Sequence, residues 1–434
     1  MRQKTRILFS LLLVMSLFSV WPGCSGGGAT DGGVSDASGT DSGADTGALD
    51  AGFDSGGTTD TGTTDAGSVD GGHDGGVVLP CTVGWAIGAT SMHPPYYAVI
   101  LKYDPSTGAW NKQYQHPVEG ASGNDISAVD ENTAWAALSN NGTGSGTILH
   151  TTDGKTWEAQ ALPDGGVTSI KGIKALSRDV VWAVTLDGTI LNTTDGKNWN
   201  IVHPDTIYDG GLPINTMANR IDAHGDKDVW IVFPHQGTSG DNRRRSILHK
   251  YTNGNDWRLE ELPPLPPGEG AGAISISALN RDVVWCSRTT SSSYDYRTVS
   301  GGGDAGTDWV EFKTPYGALN DTDDICAAGV DSFWGVINNG ASDGYFTFVD
   351  VDGGPSTKFQ PEEGLDYVYG GVSCCGSNMA WVVGNYSMPG DAPDAGNGLA
   401  VHVKKDPAAD GGWKVHTTMV KDALWKVSFV GATR

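Results

Sequence analysis

The sequence predicts an all-β fold, a seven-bladed β-propeller of four-stranded blades, and three observations predict it. Tryptophan recurs as a ruler: Trp85, Trp135, Trp182, Trp230, Trp285, Trp334 and Trp381 are separated by 50, 47, 48, 55, 49 and 47 residues. Before each of the last six, an apolar β-branched residue stands nine positions ahead of the Trp and a small one seven ahead, as in Ile126 and Ala128 before Trp135. The chain closes on the same pattern, Val427-Ser428-Phe429, with no unit after it. A unit of this length holding four short strands, repeated many times, is the signature of a propeller blade.

The strands follow in order within each unit. The positions nine and seven before the Trp share one face of a first strand, because side chains alternate with period two. A polar turn such as Ser177-Arg178-Asp179 leads to an apolar second strand, Val181-Trp182-Ala183-Val184. A third strand, Ile148-Leu149-His150 or Ile190-Leu191-Asn192, runs into Thr152-Asp153-Gly154-Lys155-Thr156-Trp157 or Thr194-Asp195-Gly196-Lys197-Asn198-Trp199. An Asp-Gly turn between two apolar runs is a hairpin signal and defines the fourth strand. Looser copies end on Trp110 and Trp257, and Trp309, Phe359 and Trp413 take the equivalent place later. At the other end, Thr82–Ile87 is a Trp strand with no first strand before it. The C-terminal strand is therefore expected to complete the N-terminal blade and close the ring of residues 78–434.

Two segments precede that ring. Residues 1–24 read as an export signal: Arg2, Lys4 and Arg6, then an apolar run from Ile7 to Val20, then Cys24. The pattern is similar to bacterial lipoprotein signals, which implies acylation of Cys24, export, and a lipid anchor in the cell envelope, at the outer membrane or cell surface. Residues 25–77 are Gly, Asp, Ser, Thr and Ala with ten Asp and no Lys or Arg, and such a segment is expected to be a disordered acidic tether. The whole chain carries −23, and residues 78–434, with 25 basic and 41 acidic residues, carry −16. That charge argues against nucleic acid, and against membrane contact other than through the anchor, because phosphate groups need a clustered positive surface. A monomer is expected.

The Asp-Gly-Lys-Thr-Trp segments resemble the Asp-box, or BNR, repeat of sialidases, sortilin-type receptors and photosystem II assembly-factor-like propellers, the last group most closely. The resemblance implies structural roles for Asp153, Gly154, Trp157, Asp195, Gly196 and Trp199: the Asp caps the turn and the Trp packs between strands. A sialidase would also need three arginines on the substrate carboxylate, a Tyr–Glu pair and an Asp acid. The Arg-Ile-Pro segment of that family is missing, and the corresponding region reads Tyr96-Tyr97-Ala98-Val99-Ile100. Arg178 and Arg281 sit in repeated turns, leaving Arg220, Arg288 and Arg297 as arginines that could line a face. No nucleophile elbow, His-Glu-x-x-His helix or phosphate loop is present, so no catalytic residue and no cofactor are assigned. His150 and His249 share one repeat position, which points to packing rather than to a metal. Asp321, Asp323 and Asp324, or Asp350 and Asp352, could hold calcium only if oxygen ligands converged from other segments, and no metal is assigned.

Beyond Cys24 the cysteines are Cys81, Cys286, Cys326, Cys374 and Cys375, an odd number in an oxidising compartment. Cys81 could pair with Cys374 or Cys375, Cys286 with Cys326, or Cys374 with Cys375. Long insertions stand at 236–246, 287–308 and 387–411. Arg243, Arg244, Arg245, Tyr294, Tyr296 and Arg297 in the first two combine aromatic and cationic groups, as binding surfaces do. The expectation is a tethered, non-enzymatic propeller that binds a protein or a cell-surface glycan. The alternative is a sialidase-like, glycan-cleaving hydrolase.

Overall fold

The computed structural model describes residues 81–431, apart from 164–166, 204–205, 209–216, 234–245, 252–255, 261, 264–271, 289–292, 299–308, 314–321, 339–343, 352–355, 361–364 and 388–396. The described residues all fall in one compact unit, His73–Arg434. They build seven sheets in chain order. The first holds β1 (Gly84–Ala89), β2 (Ala98–Asp104) and β3 (Ala109–Gln115). The second holds β4 (Ala121–Ala128), β5 (Ala134–Asn140), β6 (Gly146–Thr151) and β7 (Glu158–Ala159). The third holds β8 (Ile170–Ala175), β9 (Val181–Thr185), β10 (Ile190–Thr193) and β11 (Asn200–Val202). The fourth holds β12 (Thr206–Tyr208), β13 (Arg220–Ala223), β14 (Val229–Val232), β15 (Ile247–Lys250) and β16 (Asp256–Glu260). The fifth holds β17 (Ala273–Ala278), β18 (Val283–Arg288), β19 (Ser293–Thr298) and β20 (Trp309–Lys313). The sixth holds β21 (Thr322–Ala327), β22 (Ser332–Ile337), β23 (Tyr345–Asp350) and β24 (Thr357–Phe359). The seventh holds β25 (Asp366–Cys374), β26 (Met379–Ser387), β27 (Gly398–Lys405) and β28 (Trp413–Val420). The last strand, β29 (Ala423–Phe429), returns to pair antiparallel with β1, from Gly84 opposite Phe429 to Ala89 opposite Ala423.

The first strand of each sheet touches its counterpart in the next: β29 meets β4, then β8, β13, β17, β21 and β25, which meets β29 again. Sheets arranged this way about an axis are a β-propeller, an architecture that protects strand edges by repetition around a centre. The fourth sheet departs from the four-strand expectation. β12 lies parallel to the outer strand β16, because the long connection after β11 supplies chain that can cover that edge.

The core lies between sheets. Ile87 and Trp85 of the first pack with Ile126, Ala136 and Leu149 of the second, and Trp135 and Ile148 of the second pack with Ile173 and Ala183 of the third. The seven ruler tryptophans all sit on the second strand from the axis and are buried. The residue opposite several of them on the next strand is flat or cationic. His150 stacks on Trp135 at 3.5 Å, His249 on Trp230 at 4.6 Å and His402 on Trp381 at 4.3 Å, while Lys102 Nζ stands 4.7 Å over Trp85. The shared position of His150 and His249 is thus a packing position.

The Asp-Gly turns are built as local anion holes. Asp153 Oδ1 accepts the Lys155 and Thr156 amides at 2.8 and 2.7 Å, and Gly154 takes φ 67°. Asp195 Oδ1 accepts Lys197 and Asn198 at 2.9 and 2.7 Å, with Gly196 at φ 69°. Those backbone donors hold both carboxyls below the ordinary carboxylate range. Trp157 and Trp199 are buried beside them.

Two disulfides join neighbouring sheets. Cys81 pairs with Cys375 and Cys326 with Cys374, with Cα atoms 6.2 and 5.9 Å apart. The pairing of Cys286 with Cys326 is corrected: Cys326 faces Cys374 across the β21–β25 seam, and Cys286 is buried outside both bridges. A bond between Cys374 and Cys375 is likewise excluded, since each is taken by a different partner.

Candidate functional site: the axial mouth

Six of the seven axial strands are bulged at one place. The pairing skips Asn124 in β4, Lys171 in β8, Ile274 in β17, Asp323 in β21 and Gly370 in β25. In β29 it skips Trp425, where the register on β1 jumps from Lys426 to Leu424. A bulge leaves one residue unpaired and re-aims its side chain. The first five skipped residues each stand eleven positions before their tryptophan. In the fourth sheet that position is Asn219, just ahead of β13. All seven line one cavity of about 530 Å³ at the axis, joined by Ser91, Met92, Tyr96 and Tyr369.

The rim is braced sheet to sheet by asparagines. Asn124 donates to Ile170 O at 2.6 Å, Asn219 to Ile274 O at 2.8 Å and Asn338 to Tyr369 O at 2.7 Å. Asn385 accepts from Leu424 N at 3.0 Å. Close approach matters at one seam: a Cβ on Gly370 would lie 2.5 Å from Trp425 O, and one on Gly371 2.9 Å from Lys426 Cα. Only glycine lets β25 and β29 come together there.

One residue deeper, Asp125, Arg220, Asp324 and Lys426 form a charged ring. Lys426 Nζ is 2.9 Å from Asp324 Oδ2. Burial, then the Arg220 charge, push the Lys426 ammonium down to about 8, with Asp324 opposing them. For Asp324 burial alone acts upward, but the Lys426 and Arg220 charges outweigh it and hold the carboxyl below its ordinary value. Asp324 also accepts Ser275 Oγ at 2.8 Å and Val372 N at 3.1 Å, and Asp125 accepts Ile126 N and Ile173 N, both at 2.9 Å. Below them, Asp222 accepts Ala278 N at 2.8 Å and meets Lys174 Nζ at 2.6 Å. At that depth side chains link one sheet to the next around the axis. Ser127 Oγ accepts Ala175 N, Ser277 Oγ accepts Ala327 N, Ser373 Oγ accepts Phe429 N, and Ser428 Oγ accepts Ala128 N.

The carboxylates of the channel are therefore spent on the protein, Asp323 included, which accepts from Asn338 Nδ2. Two cations are not matched in this way. Among the described residues the buried Arg220 Nε has no hydrogen-bond partner, and the Arg220 Nη1 donates to its neighbour's carbonyl, Asn219 O, at 2.9 Å. Lys171 is lowered by burial and then by the Arg220 charge, with no carboxylate opposing the shift.

The residues expected at the binding face fare differently. Arg243, Arg244 and Arg245 lie outside the described residues, as does Cys24. Their connection leaves β14 at Val232, which pairs with Arg220, so it starts at the mouth end. Tyr294, Tyr296 and Arg297 lie on β19: Tyr294 is opposite Ser287 near that end, and Arg297 is opposite Val284 farther from it. Arg288 is buried and donates to Pro263 O at 2.8 Å, which leaves Arg220 as the one arginine at the described mouth. Of the carboxylates that could hold calcium, Asp323 accepts from Asn338. Asp324 is an inter-sheet linker, Asp321 and Asp352 lie outside the described residues, and no group of three metal-ligating side chains occurs among those described. Sequence reasoning missed Lys171, Lys426 and the bulge ring. The signal that could have found them is the repeat position eleven before each Trp.

No family model and no curated protein matches the chain. Solved structures do. YCF48 bound to D1 peptide superposes with a TM-score of 0.48 at 14% identity, covering 70% of this chain and 91% of that one. YCF48 from Cyanidioschyzon merolae gives 0.47 at 14%, covering 66% and 88%. The WD40 β-propeller domain of Doa1 gives 0.44 at 11%, covering 70% and 84%. The similarity goes no further than the arrangement of strands.

Proposed function

We infer that this chain is a binding propeller, non-enzymatic, that engages a protein partner at its axial mouth. The observation that carries this reading is the mouth itself: a residue from six axial strands, and one just ahead of the seventh, line one cavity of about 530 Å³, a volume within the range of ligand sites. The surrounding carboxylates are engaged in holding sheets together, which favours recognition over general acid–base work. The sialidase alternative needs three converging arginines, and the described mouth offers Arg220 alone. We further read the seven sheets as seven Asp-box blades of one ring, closed by β29, and the 236–246 loop, with Arg243–Arg245, as an extension of the binding face together with Tyr294, Tyr296 and Arg297. Acylation at Cys24 and the acidic segment 25–77 would tether that face in the cell envelope.

The test is capture from envelope extract with the full chain, comparing wild type with Ile274→Trp, which fills the mouth, and Asn111→Trp, at the opposite end of the first sheet. The reading predicts a partner lost on Ile274→Trp and kept on Asn111→Trp. Equal capture by both variants, or a glycan recovered as cleaved product, contradicts it.

A further inference from the structure

We propose that the mouth is a receptor for a single carboxylate, an Asp or Glu side chain carried on a short peptide segment of the partner, held by Arg220 and Lys171. The proposal rests on the mouth being the binding site and adds the chemistry of what enters it.

Four cations and four carboxylates line the channel: Lys171, Lys174, Arg220 and Lys426 against Asp125, Asp222, Asp323 and Asp324. Asp222 takes Lys174 and Asp324 takes Lys426. Asp125 is satisfied by the Ile126 and Ile173 amides, and Asp323 is bonded to Asn338. Arg220 and Lys171 remain, on adjacent axial strands, each lining the cavity and neither in an ion pair among the described residues. Two like charges brought together at a half-buried site destabilise each other unless an anion joins them. The orphaned Arg220 Nε is the more telling feature, because an unsatisfied buried donor is costly and a carboxylate takes a guanidinium edge in a bidentate pair.

The same surroundings select among anions. Asp323 lines the same mouth and Asp324 the charged ring beneath it, so a dianion meets repulsion that one negative charge largely escapes. Ile274, Val368, Met92 and Trp425 give the cavity an apolar wall, which suits the stem of an acidic side chain and its neighbours on a peptide. The asparagine braces fix the rim, so little ordering is needed on binding.

The test uses a displayed library of random heptapeptides selected on the full chain. The best peptide and its Glu→Gln or Asp→Asn analogue are then titrated against wild type, Lys171→Gln, Arg220→Gln and a control, Lys155→Gln, whose lysine lines a separate cavity at the opposite end. Acetate and inorganic phosphate are the competitors. The expected result is selection of peptides with one acidic residue at a fixed place, and a loss of tenfold or more for the amide analogue and for either mouth variant. Lys155→Gln leaves affinity unchanged, and acetate competes better than phosphate at equal concentration. Lys171 is half-buried on the rim, so its variant remains informative should Arg220→Gln fold poorly. Acid-independent peptides that Ile274→Trp abolishes would overturn the carboxylate assignment and leave the mouth as the binding site. Stronger competition by phosphate would do the same. Failure to select any mouth-dependent peptide would overturn both.

Discussion

A carboxylate sealed inside a protein is tolerated only when its charge is met, and Asp324 shows what that takes: an ammonium, a hydroxyl and a backbone amide from three other axial strands. Asp324→Asn strands Lys426 without its counter-charge, and breaking one side of a buried pair costs about 3–5 kcal/mol. Urea denaturation should show a loss of that order, and adding Lys426→Met should recover much of it. A double variant no better than Asp324→Asn would mean the pair is not the source. The stacked histidines make a second residue-scale prediction. Burial lowers His150 and His402 to about 4, with Lys404 and His416 adding to the effect at His402. Their unfolded value is near 6.5, so the unfolded chain takes up protons first as pH falls. Stability from these rings is complete above about 6.5 and drains away toward 4. Melting temperature followed across that window should fall less steeply for His150→Phe, which keeps a flat ring on Trp135 and removes the proton.

At the scale of the element, the bulge is what the repeat cannot announce. The strands, the ruler tryptophans and the Asp-Gly turns were legible because each copy keeps the same chemistry at the same offset. Position eleven before the Trp reads Asn, Lys, Asn, Ile, Asp and Gly, so it looks like drift. The structure reveals those residues as one ring, because a bulge is a property of pairing and not of composition. Arg220 could be shortlisted from sequence, but only the structure separates it from Arg288, which is buried and donates to Pro263 O, and from Arg297. The disulfides were open for the same reason: the seam joining Cys326 to Cys374 depends on which strands become neighbours. The β1–β29 contact carries its own prediction. A Cβ on Gly88 would meet Ala423 O at 1.8 Å, so Gly88→Ala must push the two strands apart. Overpacking of this kind costs about 1–3 kcal/mol, and hydrogen exchange should show the loss concentrated in β1 and β29.

For the molecule as a whole, sequence ends and axial ring are one problem. β29 brings Trp425 to the mouth, Lys426 to Asp324, and Ser428 to Ala128 N, besides pairing with β1. A chain ending at Lys421 loses all of these and exposes a long apolar edge, so it should aggregate rather than melt at a lower temperature. Size-exclusion chromatography separates the two outcomes. The disulfide between Cys326 and Cys374 spans 48 residues, and a bridge of that kind contributes about 2–4 kcal/mol, which Cys326→Ala should remove while leaving the ring assembled.

Photo-crosslinking distinguishes the axial mouth from the opposite end of the sheets as the place where a partner is engaged. A photoreactive phenylalanine analogue would replace Ile274 at the mouth in one protein and Gln113, in the opposite-end cavity, in another, each exposed to envelope extract and irradiated. The account predicts a crosslinked partner from position 274 and none from position 113. A partner captured from position 113 alone would contradict it.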